Sequence, residues 1–348
     1  MKLFDELDRA DVSPLDQEAM RKCKNHWNTI AKLPNSLGLL EDAVVKIAGI
    51  THTSHPKIRK KRIIIFCADN GVCRQDISPS AQWVTAAQAV NFSRGGGVIN
   101  AFARNAGIEV NVCDIGIAVP YSERSISKRT VRPGTADISC SPAMTREECI
   151  TAIKVGLQFA EQASRDSVQL LLGGEMGIGN TTTSSAVASV LLGAAPHDIT
   201  SKGAGGYSVV NHKVAVIEQA IALHKPNPND AIDVISKIGG LDIAALCGLY
   251  LGAAIYRLPV IIDGVITATA ALCAAQLIPL SRQYMLASHG SAEPSSRLLW
   301  EKLELKPLIT ADMCLGEGTG AALTCLLLDA AIAAYYETKS LTDLDTIL

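Results

Sequence analysis

The sequence lacks the features that would tie it to a large charged partner or to a membrane. Lys plus Arg number 32 against 34 Asp plus Glu, a formal net charge of -2, so no basic footprint exists to hold a nucleic-acid backbone by counterion release. Long apolar runs are missing as well. Stretches such as Ala244 to Ile255 are too short for a bilayer, are cut by glycine and read as buried helix. The opening residues Met1 to Arg9 carry acids within their apolar stretch and no signal-peptide h-region, which points to a cytoplasmic protein. The ten cysteines stand singly, without a CxxC pair or metal-ligand spacing, and the seven histidines are scattered. They read as reduced core residues, and neither a metal nor a redox cofactor is expected. No internal repeat or low-complexity segment occurs. What is present is a chain of 348 residues, 48% hydrophobic and 19% charged, able to bury a large core. Its partner is expected to be a small molecule.

Before residue 58 the pattern is helical. Leu7, Leu15, Met20, Cys23, Trp27, Ile30 and Leu33 are spaced for buried faces, Pro34 to Gly38 interrupts, and Leu40, Val44, Val45 and Ile47 mark a second helix. From residue 61 short β-branched runs alternate with Ala-rich helical stretches, the pattern of βαβ units and a doubly wound, mostly parallel α/β sheet. The expected strands are Arg62–Cys67, Ile108–Cys113, Val168–Leu172, Pro259–Ile262 and Tyr284–Ala287. Helices are expected at Ala86–Ala106, Arg146–Ala163, Ser184–Leu192, Val210–Ala222, Asp230–Ile238 and Ile243–Tyr256, with Thr145 and Glu148 forming a capping box. The apolar tail from Ala321 to Tyr336 is again helical and is expected to pack with the N-terminal helices as a small second lobe. Nearly every expected strand runs out into a polar residue or glycine: Asp69, Asp114, Gly173-Gly174-Glu175, Asp263-Gly264 and Ser288-His289. In a doubly wound sheet these carboxyl ends share one edge, where ligands bind. Each could equally be a plain helix cap.

Four segments carry candidate chemistry. In Leu172 to Thr183 a strand runs into glycines, then Asn180, Thr181 and Thr182, then an Ala/Ser-rich helix. Glycine admits an anion close to backbone N–H groups, and the helix N-terminus adds partial positive charge. No Gly-Lys-Ser/Thr follows, so this is not a Walker A loop, and Thr182 stands where the dinucleotide fingerprint needs its third glycine. Gly316-Glu317-Gly318-Thr319-Gly320-Ala321 matches that fingerprint on paper, but only roughly two dozen residues follow, too few for a βαβ unit. A carboxylate between two glycines suits a base reaching into a cleft, though a simple loop acid would look the same. Asp69-Asn70-Gly71, Ser78 to Gln82, Gln88, Asn91 and Arg94 to Gly97 offer polar side chains and close packing. Ser288 to Glu293 holds Ser, His and Glu, too close along the chain for a hydrolase triad and without Gly-x-Ser-x-Gly.

Together these segments resemble the nicotinate-nucleotide–dimethylbenzimidazole phosphoribosyltransferase family. The matches run in order along almost the whole chain: Pro34 to Glu41, Val84 to Gly95, Gly174 to Thr182, Asn211 to Val214, Ser236 to Gly240, Asp263-Gly264, Ser288 to Glu293 and Leu315 to Gly318. The resemblance implies a Rossmann-like catalytic domain over 58–320, and a small helical domain from both chain ends, 1–57 with 321–348. It further implies a dimer with composite active sites, made of identical chains or of this chain and a paralogue. The implied reaction moves the 5-phosphoribosyl group of nicotinate mononucleotide to an aromatic base, giving an α-linked ribotide for cobamide lower-ligand assembly. Glu317 is implied as general base and Glu175 as the carboxylate beside the ribose. Gly177, Gly179, Asn180, Thr181, Thr182, Gly203 and Lys213 are implied phosphate and ribose contacts. Ser80 and Gln88 fall where the acceptor is cradled, and Asp263, Ser288, Ser291 and Leu315 complete the substrate-binding set.

Two departures stand out. The usual Asp-His-Gly is Asp69-Asn70-Gly71, and Cys314 replaces a frequent arginine before Leu315. A less cationic cleft of this kind suits phenolic acceptors as well as 5,6-dimethylbenzimidazole. The competing expectation is a catalytically silent paralogous subunit, against which the presence of both Glu175 and Glu317 counts.

Overall fold

The sequence Ile63-Ile64-Ile65-Phe66 lies in β1 (Lys61–Ala68), whose eight residues are all buried. A strand buried on both faces belongs at the centre of a parallel sheet. In the computed structural model, which describes residues 12–344, β1 lies between β2 (Ile108–Gly116) and β4 (Leu170–Met176). With β3 (Ser127–Lys128), β5 (Val260–Ile262) and β6 (Met285–Ala287) they form one sheet, ordered β3-β2-β1-β4-β5-β6 and parallel at every pairing. The chain winds outward through β2 and β3, then returns past β1 to wind the other way. This is the doubly wound Rossmann order, and its switch point lies between β1 and β4. There the register sets Phe66 opposite Glu175.

Helices cover both faces. α1 (Gln17–Thr29) and α2 (Leu39–Ile50) precede the sheet; α3 (Trp83–Ser93) and α4 (Val98–Ala106) join β1 to β2; α5 (Arg146–Arg165) leads into β4 and α6 (Asn180–Leu192) leaves it. α7 (Val210–His224), α8 (Ala231–Ile238) and α9 (Leu241–Ile255) lead to β5, α10 (Val265–Leu277) leaves it, and α11 (Ser296–Leu303) and α12 (Thr319–Glu337) follow β6. Alternate strand residues feed opposite cores. Ile64, Phe66 and Leu171 pack with α5, α8, α9 and α10, whereas Ile63, Ile65 and Leu172 pack with α3, α4 and the first half of α12. The second half of α12 joins α1 and α2 around Cys23, Trp27, Val44, Ala331 and Tyr335. α12 is long and apolar enough to cross a membrane by length and composition, but Ala321, Ala322, Cys325 and Leu328 are buried against the sheet.

The Thr145 capping box forms as expected: Thr145 Oγ1 accepts from Glu148 N–H and Glu148 Oε2 from Thr145 N–H. Several expectations are corrected. The single helix expected over 86–106 is two, broken at Arg94 to Gly97, because Arg94, Gly95 and Gly96 close a turn on the last carbonyls of α3. α6 starts at Asn180 rather than Ser184, so the polar residues lie inside its first turn. α10 was not expected; Val265 through Ala274 are all buried, so it shows no amphipathic period. Leu7, the first residue of the expected N-terminal pattern, and residues 345–348 of the tail lie outside the described residues.

Candidate active site

At the carboxyl ends of β4, β5 and β6 lies a crevice of about 900 Å³, counted to its open mouth. Glu175, Gly177, Gly179, Asn180 and Thr181 reach it from the β4–α6 turn, and Lys213 from α7. Ser291 lies beyond the short strand His289–Gly290, and Leu315 and Glu317 in the loop before α12. His289, Glu293 and Cys314 also line the crevice. Two of the polar strand ends expected here do not. Asp69 Oδ2 accepts from Ala118 N–H at 2.8 Å, with Oδ1 unpartnered among the described residues, and Asp114 accepts from Ile117 N–H at 2.8 Å and the Tyr121 hydroxyl at 2.9 Å, so both hold neighbouring loops.

The Glu317 loop is held by its neighbours. Gly316, Glu317 and Gly318 all have left-handed backbones, with φ of 82°, 62° and 85°. A Cβ on Gly316 would collide with Glu175 Oε1, so only glycine allows the two acids to come together. Buried Asp263 fixes the far side: Oδ2 accepts from Gly318 N–H at 3.1 Å and Oδ1 from Ala321 N–H at 2.9 Å, which satisfies the start of α12. Ser288 donates to the Asp263 carbonyl at 2.8 Å. Asp263 and Ser288 are therefore scaffold beneath the crevice and not part of its lining.

The acids are electrically strained. Glu175 is pushed up to about 8, chiefly by burial and then by the Asp242 carboxylate, while the Asn180 amide pulls the other way. That amide donates to Glu175 Oε2 and, at 3.1 Å, to Asp242 Oδ2. Asp242 is pushed up to about 6 by burial. Burial also raises Glu317, against an opposing hydrogen bond from the Ile99 backbone, and its Oε2 has no hydrogen-bond partner among the described residues. A buried carboxyl of raised proton affinity with one oxygen left unpartnered is equipped to take a proton.

The opposite charge sits across the crevice. Lys213 Nζ donates to Thr181 Oγ1 at 3.0 Å, Ser201 carbonyl at 3.1 Å and Lys202 carbonyl at 3.2 Å. Burial lowers it to about 8, countered by Glu293. A Cβ on Gly203 would lie 2.9 Å from Nζ and 2.7 Å from Thr181 Oγ1, so Gly203 abuts this corner without lining it. Asn180, expected to meet a phosphate, spends its amide on the two acids instead. Thr182 is fully buried, with no hydrogen-bond partner for Oγ1 among the described residues. Ser80 and Gln88 are half-buried outside the lining; Gln88 Oε1 accepts from Asn91 at 3.0 Å. Asn70 is buried beneath the turn, where its Nδ2 would lie 3.2 Å from a Cβ on Gly177, so of the two departures only Cys314 faces the crevice. Asp242 was not foreseen. In sequence it is an ordinary first-turn acid after Gly239-Gly240.

A doubly wound α/β sheet sets a cation and two buried acids around one crevice at its carboxyl edge, and a family model described as phosphoribosyltransferase matches residues 12–344. The chain is 43% identical over 327 residues to the nicotinate-nucleotide–dimethylbenzimidazole phosphoribosyltransferase of Clostridium acetobutylicum, covering 94% of this chain and 93% of that one. It is 44% identical over 334 residues to that of Ruminiclostridium cellulolyticum, covering 95% of each. The crystal structure of the Thermus thermophilus protein of the same name superposes with a TM-score of 0.89 at 34% identity, covering 95% of this chain and 99% of that one. The chain belongs to the nicotinate-nucleotide–dimethylbenzimidazole phosphoribosyltransferase family and is a phosphoribosyltransferase.

Proposed function

We propose that the chain transfers the 5-phosphoribosyl group of nicotinate mononucleotide to 5,6-dimethylbenzimidazole, releasing nicotinate and an α-linked ribotide. The observation that carries this is the pairing of a buried Glu317 carboxyl, its Oε2 without a hydrogen-bond partner among the described residues, with Glu175 in one crevice whose other side holds Lys213. The C1′–N bond breaks with its electron pair returning to the cationic pyridinium ring, which leaves as neutral pyridine nitrogen. The lone-pair nitrogen of the acceptor forms the new bond from the opposite face, and the proton on its other ring nitrogen passes to Glu317. Ionised Glu175 stabilises the positive charge that develops at C1′. Thr181 and the Gly177–Gly179 backbone hold the phosphate, with the charge of Lys213 beside them. Ser80 and Gln88 cradle the acceptor; support comes from α3, which touches the turn where Ile178 N–H donates to Thr85 Oγ1 at 3.1 Å.

A dimer, of identical chains or with a paralogue, belongs to the same proposal and is supported by the exposed apolar side chains of Trp83, Val98 and Leu315. So does a cytoplasmic location. Incubating the protein with nicotinate mononucleotide and dimethylbenzimidazole, with mass detection of the ribotide, tests the activity; no ribotide at any enzyme concentration overturns it. Light scattering tests the dimer.

A further inference from the structure

Asp242 lies outside the crevice, fully buried in the first turn of α9, yet it is bonded to the site. Its Oδ2 accepts from Asn180 Nδ2 at 3.1 Å, and its Oδ1 accepts from Ile243 N–H at 3.0 Å. Asn180 Nδ2 gives its second hydrogen to Glu175 Oε2. The two N–H bonds of one amide thus end on two carboxylates from elements far apart in sequence. The fold leaves room for this: a Cβ on Gly240 would strike Asp242 Oδ1. Burying a second acid beside Glu175 is unfavourable unless it does something for the first.

We infer that Asp242 is a positioning residue for the transfer: through Asn180 it fixes the Glu175 carboxyl against the ribosyl pocket. This builds on the ribose-side role proposed for Glu175 above. The groups facing Glu175 are Asp242 from α9, Asp263 after β5, the Asn180 amide from α6 and the Glu317 N–H from the loop before α12, with Cys67 of β1 and Tyr250 of α9 beside it. Asp242 is the largest charge among them acting on Glu175, and it raises the proton affinity of Glu175. Its negative charge therefore keeps Glu175 neutral to higher pH, so the ionised form that faces C1′ is reached only as pH rises.

The test is the pH dependence of kcat at saturating nicotinate mononucleotide, measured for wild type, Asp242→Asn, Gly240→Ala and Glu175→Gln. Asp242→Asn keeps an acceptor for Asn180 but removes the charge, so the rising limb should move to lower pH by about one unit, with KM for the nucleotide within about twofold. Gly240→Ala displaces the carboxylate, and with it the Asn70 amide oxygen that the same Cβ would meet at 2.8 Å, without changing any titratable group. It should lower kcat about tenfold at unchanged KM, and it decides the matter if Asp242→Asn does not fold. A limb that stays in place in Asp242→Asn, or a wild-type kcat in Gly240→Ala, overturns the inference. If Glu175→Gln is inactive while both other variants behave as wild type, Asp242 alone loses its role. If Glu175→Gln is fully active, the role of Glu175 falls and that of Asp242 with it.

Discussion

At the end of β4, Gly177-Ile178-Gly179 turns into α6 with only its last residue left-handed; before α12, Gly316-Glu317-Gly318 does so with all three left-handed. Both helices start from a left-handed glycine, Gly179 at φ 93° and Gly318 at φ 85°. Their chemistry nonetheless differs in sign. The start of α12 is already neutralised by buried Asp263, so the acid exposed to the crevice, Glu317, has no donor left at the helix end to bond it. The start of α6 has Lys213 bonded to Thr181, and Asn180 gathers the acids to one side. A helix N-terminus is thus an anion site only where no neighbouring carboxylate has taken it. One turn is suited to hold a phosphate, and the other to present a base.

Breaking the two turns in order of effect sharpens this contrast. Glu317→Gln should lower turnover about 100- to 10,000-fold while calorimetry shows nucleotide affinity unchanged. Lys213→Met should do the reverse, raising KM for the nucleotide about 10- to 100-fold with a smaller change in kcat. Asp263→Ala leaves the Gly318 and Ala321 N–H groups without an acceptor, so the chain should lose about 2 kcal/mol or more of stability, read from the urea midpoint. In the free enzyme, Glu175 must lose its proton above about 8 and Lys213 keep its proton below about 8. kcat/KM should therefore peak narrowly near 8, and the residual activity of Glu175→Gln should lack the rising limb. The smallest effect belongs to acceptor choice. Cys314→Arg should lower phenol turnover relative to dimethylbenzimidazole, whereas Asn70→His, buried under the turn, should disturb both acceptors alike.

The sheet was legible because Ile63 to Phe66 and Leu170 to Leu172 are continuous apolar runs, and such runs mark buried parallel strands. Glu317 was legible because glycines flank it and a family motif contains it, and Glu175 through its family motif alone. α10 was hidden by being buried on every side, and the break between α3 and α4 by a turn whose glycines read as ordinary helix punctuation. The partners of Asn180 were not readable at all. Its contact with Asp242 spans 62 residues and depends on how α6 and α9 meet above the switch point. Local pattern gives a polar residue after a glycine turn; only the tertiary arrangement decides whether its amide meets a phosphate or two carboxylates.

The central claim is that the chain transfers phosphoribose with Glu317 taking the acceptor's proton. Its most direct test is product mass spectrometry of wild type and Glu317→Gln with nicotinate mononucleotide and 5,6-dimethylbenzimidazole. Wild type should give ribotide and nicotinate in equal amounts, and Glu317→Gln only traces of either. Ribotide formed by Glu317→Gln at more than about a tenth of the wild-type rate, or nicotinate released by wild type without ribotide, would contradict it.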